Sequence, residues 1–222
     1  TALHITLANN MPYASGQYAN LAIDGLENTH RSYSFASAYD AASHQVELYI
    51  KHVNGGALST VVHEQDLVGK EIVLDGPHGN FYLRESETPF VCIAGGSGLA
   101  PVKALLEQAI KDKVQRDVTF VFGARSQQDL YCLDEIKEIS KNWPANFEFI
   151  PVLSDAPNTS NWRGERGYVT NILPRFLTGQ EQAYLCGPPA MIDSAVQVLR
   201  NHSVPSNHIF FDKFISQAHL AA

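Results

Sequence analysis

The sequence predicts two domains: a small antiparallel β-barrel over residues 1–86, then a doubly wound α/β domain over residues 87–222 with a five-stranded parallel sheet. Three observations carry this. The N-terminal part is a series of short strand-like runs cut by turn residues, the pattern of a small barrel. After Pro89 apolar runs without alternation take turns with helical stripes, which builds a parallel sheet covered on both faces. The 222 residues, 45% hydrophobic and 18% charged, have the balance of a globular chain able to bury a sizeable core.

The barrel strands are expected at Leu3–Leu7, Gln17–Ile23, Arg31–Ser37, Gln45–His52 and Glu71–Leu74. Asn9-Asn10, Asp24-Gly25 and Gly55-Gly56 supply the turns between them. In Gln45–Lys51 apolar and polar residues alternate, as a half-buried strand requires. In the second domain, strands are expected at Phe90–Ala94, Val118–Phe122, Phe147–Leu153, Ala183–Cys186 and Ile209–Phe214. A helix follows the first of these, because Val102, Leu105, Leu106, Ala109 and Ile110 fall on one stripe. Further helices start near Leu133 and Pro189, with a weaker one over Thr170–Leu177, and the domains join near Arg84–Pro89.

Composition excludes several classes. A formal charge of -7 gives no clustered positive charge for a nucleic-acid backbone. The three cysteines, Cys92, Cys132 and Cys186, lie far apart, without the spacing of a zinc site or an iron–sulfur cluster. So sparse a count suits a reducing compartment. The nine histidines fit no ligand set, so no bound metal is expected. No signal peptide opens the chain, and no apolar run reaches the roughly 20 residues that span a bilayer. The expectation is a cytoplasmic protein without nucleic-acid or membrane partners.

Three clusters carry candidate chemistry. Gly95-Gly96-Ser97-Gly98 stands between an apolar strand and a helix, with Pro101 near the first helical position. Glycines there let backbone N–H groups approach an anion at a helix N-terminus, though a tight turn without ligand is the alternative. Cys186-Gly187-Pro188-Pro189-Ala190-Met191 lies at the carboxyl end of another strand, where open α/β sheets bind ligands. Taken alone, its thiol is better read as a buried hydrophobe. In Arg31-Ser32-Tyr33-Ser34, alternation puts Arg31 and Tyr33 on one face and leaves Ser32 and Ser34 for hydrogen bonds. A guanidinium suits phosphate and a tyrosine face stacks on flat rings, but on this cluster alone an exposed strand with a cross-strand aromatic pair is the better reading.

In this order, the three clusters make the chain resemble the ferredoxin–NADP reductase family over nearly its whole length. The family's flavin signature matches Arg31, Tyr33, Ser34 and Ser37. The resemblance implies a six-stranded-type barrel holding FAD, whose first strand would precede Thr1, and an NAD-binding α/β sheet. It implies Arg31 on the FAD pyrophosphate, Ser32 among the FAD-binding residues, Tyr33 stacked on the isoalloxazine and the Ser34 hydroxyl near flavin N5. The backbone of Ile50 and Lys51 would meet the ring edge, and a loop of Gly56, Ala57, Leu58 and Ser59 would hold the pyrophosphate. Gly95, Gly96, Ser97 and Gly98 would receive the dinucleotide, with Cys186, Gly187, Pro188 and Met191 beside the nicotinamide. Asp212 would be the acidic residue near the site, and Phe214 would cover the flavin face opposite Tyr33. Ser34, Cys186 and Asp212 would carry the catalytic roles.

Gly76–Phe81, Gly123-Ala124-Arg125 and Cys186–Pro189 are most similar to reductase components of bacterial ring-hydroxylating dioxygenases and diiron monooxygenases. Such a resemblance implies hydride transfer from NADH to FAD, then single electrons to a [2Fe–2S] ferredoxin domain or protein that feeds an oxygenase component. Four cluster ligands are absent from this sequence, so the cluster would lie outside it. Relatives selective for NADPH place Ser-Arg where this chain has Ser154-Asp155. A carboxylate repels a 2′-phosphate and accepts bonds from a ribose 2′-OH, which favours NADH; Arg125 keeps NADPH possible. The alternatives are a flavin reductase that releases reduced flavin and a non-catalytic electron-relay or nucleotide-binding subunit.

Overall fold

Buried and open positions alternate along the first strands of the computed structural model, which describes residues 1–26, 29–157 and 159–215. Strands β1 (Ala2–Thr6), β2 (Tyr18–Ile23), β3 (His30–Ser34), β4 (Gln45–Tyr49) and β5 (Ile72–His78) are all antiparallel. They form a pair, β1-β4, and a triplet, β3-β2-β5, linked by a bridge between Phe35 and Leu48. The two sheets close over one core of Ile5, Ala19, Leu21, Phe35, Val46 and Leu48. Helix α1 (Ala57–Glu64) plugs it by inserting Leu58 and Val62, one turn apart.

The second half is a parallel sheet of β6 (Phe90–Gly95), β7 (Val118–Ala124), β8 (Phe147–Leu153), β9 (Glu165–Arg166), β10 (Gln182–Gly187) and β11 (Ile209–Lys213). Every residue of β6 and β10 is buried, so the absence of alternation there marks strands covered on both sides. One face packs α2 (Leu99–Lys111) and α3 (Leu133–Asn142). The other packs α4 (Val169–Ile172) and α5 (Pro189–Asn201). The sheet has six strands where five were expected. The extra one, β9, is two residues long and pairs only with the end of β8, too short to leave a periodic signal.

Strand order is β11-β10-β6-β7-β8-β9. The chain runs outward from β6 to β9, then returns to the other side of β6 to lay down β10. This reversal opens a crevice at the carboxyl ends of β6 and β10, where Gly95 and Gly187 stand.

The halves are tied together by buried polar groups. Lys103 of α2 is 4% exposed and donates to the Ala36 carbonyl at 3.0 Å. It also pairs with Glu107 at 2.8 Å and Glu47 at 3.4 Å, while Glu107 accepts from the Ala38 N–H. Arg116 donates to the Thr88 and Arg84 carbonyls and to Gln182 Oε1, and the Arg84 N–H donates to the Tyr184 hydroxyl. The segment between the sheets is thereby fixed to the α/β domain at both ends. Among the described residues no helix is long and apolar enough to cross a membrane, and no three His, Cys, Asp or Glu residues are grouped to hold a metal.

Candidate functional site

Strand β3 sets the barrel side of the site. Arg31 and Tyr33 pair with Leu21 and Ala19, both fully buried, so they share the core-side face and remain half-buried at its edge. Phe35 continues that face into the core, where it stacks on Tyr13 at 3.8 Å. The Arg31 guanidinium donates to the His30 carbonyl. Ser32 lies on the opposite face, exposed and bonded to Asn20.

Ser34 differs from these. It is 5% exposed, and among the described residues its hydroxyl has no hydrogen-bond partner. A buried hydroxyl left unpaired costs about 1–3 kcal/mol, so Ser34 has hydrogen-bonding capacity to offer a bound group, a state it shares with Ser15 Oγ. A flavin heteroatom would accept from it. The residues present therefore fit the FAD that the sequence motif implies.

Beyond β4, Ile50 and Lys51 diverge. The Ile50 N–H donates to the Thr1 carbonyl, and its own carbonyl accepts from the Thr1 amine. Its backbone is thus already paired, whereas Lys51 is exposed at the strand end. The segment expected as a loop at 56–59 is instead the cap and first turn of α1: Gly56 is the N-cap and Ala57, Leu58 and Ser59 are helical. The first N–H groups of a helix lack partners within it, so this turn still offers anion donors. Ser59 Oγ does not, because it is buried and bonded to Val53 and Gly56.

On the α/β side the two glycine turns meet across the crevice. A Cβ on Gly98 would run into the Cys186 carbonyl oxygen, and one on Gly95 would lie 2.5 Å from Met191 Sδ. These glycines, with Gly187 at φ +147°, permit close packing of the two turns. Gly96 is different: it has φ +54° and open space around it, as backbone facing a ligand would. Ser97 is the middle residue of the 3₁₀ turn, Gly96–Gly98, that leads into α2. Pro188 precedes α5, whose first residue Pro189 needs no N–H partner.

Cys186 is fully buried and lies opposite Asp212 of β11. Burial pushes its thiol well above the ordinary range, and the Asp212 carboxylate adds to this. Burial likewise raises the Asp212 carboxyl. Asp212 lines a cleft of about 300 Å³ with Asn80, Arg84 and Phe210. The Phe214 N–H bonds to the Gly187 carbonyl at 2.9 Å, which ties its backbone to the end of β10, and its side chain packs against the α/β core. At the far end of the crevice, the Asp155 N–H bonds to the Arg125 carbonyl and Ser154 to the Ala124 carbonyl. Both Arg125 and Asp155 are exposed.

Sequence reasoning missed Lys103, Glu47, Glu107 and Tyr131. The only trace of Lys103 was a lysine amid the apolar residues of α2; its partners Ala36 and Glu47 are distant in sequence.

An antiparallel barrel followed by an α/β sheet with a switch-point crevice is the architecture of an FAD- and NAD-binding oxidoreductase, and the two halves match that class. Residues 3–82 match the oxidoreductase FAD-binding domain and residues 92–197 the oxidoreductase NAD-binding domain. This chain belongs to the ferredoxin–NADP reductase family. It is 42% identical over 203 residues to a xylene/toluene monooxygenase electron transfer component of Pseudomonas putida, covering 91% of this chain and 57% of that protein. A propane 2-monooxygenase reductase component of Mycolicibacterium smegmatis is 39% identical over 92% of this chain and 60% of its own length. In structure the chain is similar to an Amycolatopsis cytochrome P450 reductase, with TM-score 0.86 and 30% identity over 96% of this chain and 64% of that one. The chain thus spans about three-fifths of the length of the curated relatives it matches.

Proposed function

We propose that this module passes a hydride from NADH to bound FAD and then delivers single electrons to a [2Fe–2S] ferredoxin domain or protein serving an oxygenase, with residues 1–86 as the FAD domain and 87–222 as the NAD domain. One observation carries the reading: Lys103, in the helix opened by the Gly95–Gly98 turn, is bonded to Ala36, two residues past the unpaired Ser34 hydroxyl. The flavin motif and the dinucleotide turn are therefore neighbours.

Bound FAD would supply an acceptor for a hydride and a donor of single electrons. Tyr33 and Phe214 would cover the two ring faces, and Ser34 would donate to the ring edge. Arg31 and the first turn of α1 would neutralise the pyrophosphate, while Lys51 rather than Ile50 would offer backbone to the ring. Cys186 and Gly187 would border the nicotinamide, with Asp212 holding a proton nearby. The exposed Asp155 carboxylate favours a free 2′-OH, hence NADH over NADPH. Titrating the purified protein anaerobically with NADH tests this: the flavin absorbance is expected to bleach, at lower concentration than with NADPH. Unchanged absorbance would overturn the reading.

A second reading, a reductase that releases reduced flavin, draws on the engagement of Ser59 and Ile50 within the protein, which removes two expected grips on FAD. Flavin lost on desalting would favour it.

A further inference from the structure

We propose that Tyr131 is a positioning residue that aims the dinucleotide turn, holding the Gly96 carbonyl so that the Ser97 N–H faces the bound dinucleotide. This rests on the NADH-binding reading of the Gly95–Gly98 turn.

The Tyr131 hydroxyl donates to the Gly96 carbonyl at 3.0 Å, and the Leu99 N–H donates to the same oxygen from within the turn. The carbonyl is thereby fixed from two sides. In a trans peptide unit the C=O and the following N–H point in opposite directions. Fixing the Gly96 oxygen toward Tyr131 therefore fixes the Ser97 N–H away from it, toward the open side of the turn. Gly96 sits at φ +54° with nothing near its Cβ position, so local packing does little to hold this peptide. The phenol supplies the missing constraint.

Tyr131 is itself held. Its ring is edge-on to Phe122 of β7 at 5.9 Å and to Tyr49 of β4 at 5.7 Å. The next residue, Cys132, adopts the left-handed conformation at φ 55° and bonds through its thiol to the Tyr49 hydroxyl. One face of the support thus comes from the barrel strand that ends beside Lys51, so the dinucleotide turn is referenced to the flavin strand. Burial pushes the Tyr131 phenol far above its ordinary range, which keeps it a donor at any working pH.

The test uses Tyr131→Phe, which keeps the ring and removes the bond. Tyr39→Phe serves as control: it removes a phenol bonded to Asn10, near the Lys111 end of α2 rather than near Gly96. NAD⁺ binding is measured by calorimetry and flavin bleaching by anaerobic NADH titration. Tyr131→Phe is expected to weaken NAD⁺ binding about fivefold, the factor carried by one neutral hydrogen bond. The NADH concentration for half-maximal bleaching should rise by the same factor, with the limiting rate within about twofold of wild type. Tyr39→Phe should match wild type. Equal affinities for Tyr131→Phe and wild type would overturn the proposal, as would an equal loss in the control or a thermal midpoint lowered by more than about 8 °C. Wild-type protein that NADH fails to bleach would sink the NADH reading instead, a result distinct from each of these.

Discussion

At the scale of single residues, chemistry is concentrated in groups whose burial is not matched by partners. Ser34 is the clearest: a hydroxyl sealed in protein with no partner among the described residues. Ser34→Ala removes an unpaired group, so the protein is expected to be as stable or slightly more so when stripped of flavin. Its limiting rate of flavin bleaching by NADH should fall about tenfold or more if the hydroxyl donates to the ring. A rapid-mixing measurement at saturating NADH checks both the direction and the split. Asp212 gives a pH signature. Burial raises its folded-state pKa above the unfolded value, so the folded chain binds the proton more tightly. Its contribution therefore makes stability fall as pH rises from the ordinary carboxylate value through the raised one. Asp212→Asn should be more stable than wild type at pH 7, and the difference should shrink as pH falls below the ordinary value; denaturant melts at several pH values read it. The sequence motif drew attention to both residues, but their burial became visible only in three dimensions.

Among the elements, legibility followed the source of stability. The strands could be read because alternation and unbroken apolar runs are imposed by burial, as in β2 and β6. Helix α1 could not. Its Thr60, Val61 and Val62 are poor helix formers, and it is held by Leu58 and Val62 in the barrel core rather than by local propensity. Helix α2 was legible as a helix but not as the joint between domains. Lys103 pairs with Glu107 one turn along the same helix, but its other partners, Glu47 of β4 and the Ala36 carbonyl after β3, are far away in sequence. Burial alone would lower the Lys103 pKa, yet Glu107 and Glu47 outweigh it and raise it. Lys103→Met leaves those carboxylates facing each other and is expected to cost about 2–4 kcal/mol, read from the urea midpoint at constant m. Arg at this position should recover part of that loss.

For the molecule as a whole, the decisive element is the connection between its halves. Arg116 bonds two carbonyls of that connection and Gln182 of β10, while its own carbonyl accepts from Trp143. A lysine lacks the planar fork that reaches three acceptors. Arg116→Lys should therefore leave both halves folded but expose residues 84–89 to proteases, seen as faster cleavage there by mass spectrometry. The fixed connection also bears on electron delivery. Bending between the halves would pull the buried Lys103 ammonium away from the Ala36 carbonyl and the Glu47 carboxylate of the barrel. In the proposed reading the flavin edge would be a stationary terminal within this module, and the group that collects its electrons would have to travel to it, on its own tether or by diffusion.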